Sequence, residues 1–144
     1  EFASYLESGI VEAGGQTGLV QRLKARMPDL QAVSLPSTDA DPERVARVFT
    51  TLNASDTLIL ATRNASWNAE QAELAGALIH QSARTVLLCL RTPYDAQILP
   101  RADAALTTCG DSAPSLDAIV DALMGVFTPA GRLPFPVKAS DVST

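Results

Sequence analysis

Short unbroken apolar runs alternate with helix-patterned stretches along this chain, and no other property of the sequence narrows the fold as far. Residues 57–61 read TLILA, residues 86–90 read VLLCL, and residues 104–106 with Thr107 form a third run. A strand with one face in water alternates apolar and polar residues. A continuous run suits a strand covered on both faces, as in a parallel sheet. Between the first two runs lies a helical pattern over residues 68–81, with Leu74, Ala75, Leu78 and Ile79 on one face. Asn68 is placed to cap it, and with Gln71 at the third helical position the pair resembles a capping box.

The rest of the chain extends the alternation. Residues 9–13 are a short strand candidate and residues 32–35 another. Residues 17–27 carry Leu19, Val20, Leu23 and Met27 on one helical face. Asp41-Pro42 is an N-cap followed by a proline at the first helical position, ahead of the stripe Val45, Val48, Phe49 and Leu52. The last helix repeats Leu116, Ile119, Val120, Leu123 and Met124, with Gly125 placed to end it. Residues 129–144 hold Pro129, Gly131, Pro134 and Pro136 and read as an extended tail. The expected order is β-α-β-α-β-α-β-loop-β-α-tail. This is an α/β single domain, a three-layer αβα sandwich with a mainly parallel sheet.

Composition excludes some functions. With 47% hydrophobic and 19% charged residues, 144 residues can bury one core. The net charge is −5 and the 11 basic residues are dispersed, whereas a nucleic-acid binder clusters Lys and Arg to displace counterions. No apolar run approaches the roughly 18 residues of a membrane span. No signal peptide is visible at Glu1, and nothing demands an oxidising compartment, so a cytoplasmic setting is slightly favoured over a secreted one. Cys89, Cys109 and His80 fall short of the four ligands of a structural zinc site, and no metal or cofactor is expected.

In open α/β sheets ligands bind at the carboxyl ends of the strands. Four segments qualify by position. Gly14-Gly15-Gln16-Thr17-Gly18 looks like a phosphate loop, but Ala13 stands where a dinucleotide fingerprint has its first glycine, and no Gly-Lys-Ser/Thr is present. Thr62-Arg63-Asn64-Ala65-Ser66-Trp67 is polar directly after a buried strand, so Arg63, Asn64 and Ser66 are candidates for contact with a substrate or a partner domain. Asn53-Ala54-Ser55 and Asn64-Ala65-Ser66 also match the glycosylation sequon, a pattern too short to carry weight. Arg91-Thr92-Pro93-Tyr94-Asp95 adds Arg91, Tyr94 and Asp95, with Asp95 able to pair Arg91 or to hold the loop backbone. The fourth segment is Thr108-Cys109-Gly110-Asp111-Ser112.

No catalytic constellation emerges. His80 sits late in its helix, where a cation is favoured, and has no nucleophile beside it. Glu70 and Glu73 lie in the first turns of the same helix, where the dipole stabilises acids, and do not form a pair across a cleft.

The order ATRNAS, a helix with Gln71 and Leu74, LRTPYD, LPRADAALTTCGDSAPSLDAIVDALMG and PAGRLPF resembles the C-terminal domain of glycoside hydrolase family 3, in its β-N-acetylhexosaminidase branch. The resemblance spans residues 56–136, and Leu90-Arg91-Thr92-Pro93-Tyr94-Asp95 and Gly131-Arg132-Leu133-Pro134 are its most specific parts. It implies an eight-stranded catalytic barrel N-terminal to this domain in the same polypeptide, carrying the aspartate nucleophile and a His/Asp acid/base pair. The barrel's Lys-His-Phe-Pro-Gly-His signature is not in this sequence. In the β-glucosidase branch the loop matching Thr62–Ser66 supplies a glutamate; here it holds no carboxylate, which agrees with the hexosaminidase branch.

The expectation is therefore a non-catalytic accessory domain with a flavodoxin-like sandwich, packing on a barrel and shaping its sugar site. Sugar substrate and a second copy of the chain are further candidate partners. The rival is a free-standing flavodoxin-like module whose Gly14–Gly18 loop takes an anionic ligand.

Overall fold

The computed structural model describes residues 18–34, 42–52, 57–133 and 136. Its elements are α1 (Leu19–Arg26), α2 (Pro42–Thr51), β1 (Thr57–Thr62), a 3-10 turn (Ala65–Trp67), α3 (Ala69–Gln81), β2 (Arg84–Cys89), α4 (Asp95–Ile98), β3 (Ala104–Thr107) and α5 (Ala113–Leu123). Among the described residues the three strands form one sheet in the order β1-β2-β3. Both pairings are parallel, with Leu60 opposite Leu87 and Leu88 opposite Leu106.

Side chains alternate across a strand, so neighbouring leucines of one run enter different cores. Leu60, Leu87 and Cys89 pack with Ala75, Leu78 and Ile79 of α3, and Val48 and Phe49 of α2, with Leu52 just after it, lie against that cluster. Ala61, Leu88 and Leu90 pack with Leu19 and Leu23 of α1 and with Leu116, Ile119 and Val120 of α5. Leu87, Leu88, Cys89 and Leu90 are fully buried. The three layers expected from the unbroken runs are present.

Helices α1 and α5 run side by side and in the same direction, because Arg22 pairs Asp117 and Arg26 pairs Asp121, a step of four in each. These exposed pairs set register more than they stabilise, at roughly 0–1 kcal/mol each. Gly18 begins α1 at φ 65, a conformation that costs glycine nothing, and a Cβ there would meet the Arg22 guanidinium at 2.6 Å. Helix α5 ends as its sequence predicts. Gly125 takes φ 72, its N–H donates to the Ala122 carbonyl, and the Val126 N–H donates to Asp121, which is the Schellman arrangement.

Several expectations change. Residues 32–34 form no strand; Ala32 and Ser34 are exposed and only Val33 packs on the core, and residue 35 lies outside the described residues. The second central strand runs over Arg84–Cys89, two residues earlier than its apolar run, because Thr85 is buried and its N–H is held by Asp103 at 2.7 Å. Helix α4 was not signalled: four residues are too few for a periodic pattern. The capping box is half formed. Asn68 Oδ1 accepts from the Gln71 N–H, but the Gln71 side chain turns inward and accepts from the Arg63 N–H at 2.9 Å. The strand expected at residues 9–13, the cap at Asp41 and residues 137–144 of the tail lie outside the described residues.

Candidate functional site

Adjacent parallel strands put their following loops on one edge of the sheet. The loop after β1 (residues 63–68) and the loop after β2 (residues 90–94) lie together there, with Leu90 N–H donating to the Thr62 carbonyl at 3.0 Å. The sequence-derived candidates Arg63, Asn64, Ser66, Arg91, Tyr94 and Asp95 therefore share one edge, but they do not share one role.

Asp95 is 0% exposed. Its Oδ2 accepts from the Thr62 hydroxyl at 2.8 Å and its Oδ1 from the Ser66 N–H at 2.9 Å. Of the two partners open to it in the sequence, Arg91 and the loop backbone, Asp95 takes the backbone, and of the neighbouring loop rather than its own. One carboxylate so clamps the loop after β1 to the first turn of α4. A buried carboxylate is costly unless it is hydrogen-bonded, and here both oxygens are.

Arg63 is 4% exposed. Its Nε donates to Asp111 Oδ2 at 3.3 Å, and Arg91 Nε lies 3.9 Å from the same oxygen, beyond hydrogen-bond reach. Asp111, near the end of the β3–α5 loop, thus ties a third loop to this edge. Asn64 is in the left-handed region at φ 56, which asparagine tolerates, and opens the 3-10 turn that carries Trp67. Asn64 and Ser66 are half-buried, as is Arg91. Tyr94 is 46% exposed and Trp67 75%. Two buried atoms of the same region, Ser66 Oγ and Gln71 Nε2, have no hydrogen-bond partner among the described residues.

Sequence reasoning placed Thr62, Trp67 and Asp111 in strand-end segments without singling them out as contact residues, and it missed Gln71 at this edge altogether. Trp67 had a signal, since the one tryptophan follows a polar strand-end loop. The other three act through side chains that meet only when distant segments fold together. Of the Gly14–Gly18 loop only Gly18 is described. Among the described residues no group of His, Cys, Asp and Glu is arranged to hold a metal ion, and no helix is long and apolar enough to cross a membrane.

Cys89 lies beneath the clamp. Burial, reinforced by the nearby Asp95 charge, pushes its thiol from the ordinary 9.0 up to about 12. Below pH 9 the folded and unfolded chains both keep this proton. Between 9 and 12 only the folded chain keeps it, so stability falls with rising pH by up to about 1.4 kcal/mol per unit. At pH 8 a thiol reagent is expected to titrate the exposed Cys109 quickly and Cys89 only on unfolding. Two fast thiols in the native chain would refute this placement of Cys89.

No protein-family model matches this sequence, and no curated protein matches it. Solved structures do match its fold. A glycoside hydrolase family 3 β-N-acetylglucosaminidase from Paenibacillus sp. str. FPU-7 aligns over 88% of this chain at 20% identity and TM-score 0.75. A fungal multi-domain β-N-acetylglucosaminidase of family 3, which has a GCN5-related glucosamine N-acetyltransferase region, aligns over 83% at 22% identity and TM-score 0.70. This chain spans 24% and 14% of their respective lengths. It has the fold of one part of these larger chains.

Proposed function

We propose that this chain is a non-catalytic accessory domain of a family 3 glycoside hydrolase, one that removes terminal N-acetylglucosamine, and that it packs on a catalytic barrel and helps shape the sugar site. The observation that carries this reading is the disparity of the structural match, which takes in 88% of this chain but 24% of the Paenibacillus enzyme. A fold that recurs as a minor part of a glycosidase is suited to brace a site whose chemistry lies elsewhere.

The chemistry of the strand-end edge supports it. Glycoside hydrolysis uses two carboxylates flanking the bond, one as acid and one as base or nucleophile. Here Asp95 is fully buried and held by Thr62 and Ser66, and Asp111 faces Arg63. Both are engaged in holding loops. In this reading Arg63, Ser66 and Asp95 position the edge, while Asn64, Arg91 and Tyr94 are the residues within reach of a sugar or a neighbouring domain.

The purified 144-residue chain is expected to release no nitrophenol from an aryl N-acetyl-β-glucosaminide. An antibody raised against it should detect, in cells that make it, a polypeptide large enough to hold a barrel and active on that substrate. Turnover by the purified chain that is lost on changing Asp95 or Asp111, or a native band at its own 15.2 kDa, would overturn the reading.

A further inference from the structure

We draw no further inference here: the strongest candidate, the two buried polar atoms Ser66 Oγ and Gln71 Nε2 between the 3-10 turn and the first turn of α3, carries nothing, because nothing in the structure shows what would meet them.

Discussion

Leu87→Ala and Leu88→Ala are each expected to lower stability by about 2–5 kcal/mol, and the pair to come close to abolishing the fold. Both side chains are fully buried, adjacent in β2, and packed into different cores, Leu87 with α3 and Leu88 with α1 and α5. Each truncation opens a cavity on its own face of a close-packed sheet, where the surroundings collapse only in part. Leu87 and Leu88 are consecutive in one strand and share its backbone, so the double variant should depart from the sum of the single losses by about 0.5–3 kcal/mol. Urea unfolding of the two single variants and the double variant measures this. A variant at either position within about 0.5 kcal/mol of the parent, the ordinary range of surface changes, would mean that its face of the sheet is not covered.

Asp95→Ala is the second large effect, at about 3 kcal/mol, with a fall in melting temperature of roughly 10 °C. The substitution removes an acceptor from two buried donors, the Thr62 hydroxyl and the Ser66 N–H, and so releases the loop after β1 from α4. Hydrogen bonds to a charged acceptor contribute about 1.5–3 kcal/mol each, and the relief of a buried charge offsets part of that sum. Asp95→Asn separates shape from charge. Its carbonyl can still accept from Ser66, and the Thr62 hydroxyl can turn to accept from the amide, so its loss should be less than half as large. The exposed Trp67, one residue beyond the clamp, reports the release by its fluorescence. Equal losses for the two variants, or unchanged Trp67 emission in Asp95→Ala, would show that Asp95 does not hold this loop.

Helices α3 and α5 were legible because their stripes are long enough to show a period and their ends carry specific chemistry: Asn68 before one, Gly125 after the other. The runs TLILA and VLLCL announced strands covered on both faces: β2 lies between the other two strands and its run is buried over residues 87–90, while β1 lies at an edge of the described sheet and is buried only from Leu60 on. The short element α4 and the 3-10 turn are set by contacts that no local pattern encodes. Gln71 shows the limit well. Its position in the sequence matches a cap, yet its side chain accepts from the Arg63 N–H, because the end of β1 arrives beside it in the fold.

The candidate edge divides along the same line. Period and polarity are properties of neighbouring residues, so the sequence by itself determined the layer architecture, the parallel strands and the loops that form the strand-end edge. Whether a polar residue on such a loop faces a ligand or the protein interior depends on what approaches from 29 to 48 positions away, as Asp95 approaches Ser66 and Asp111 approaches Arg63. Only the tertiary structure decided that Arg63 and Asp95 turn inward while Trp67 and Tyr94 face water. A buried charge needs a partner, and that partner is found in space and not along the chain.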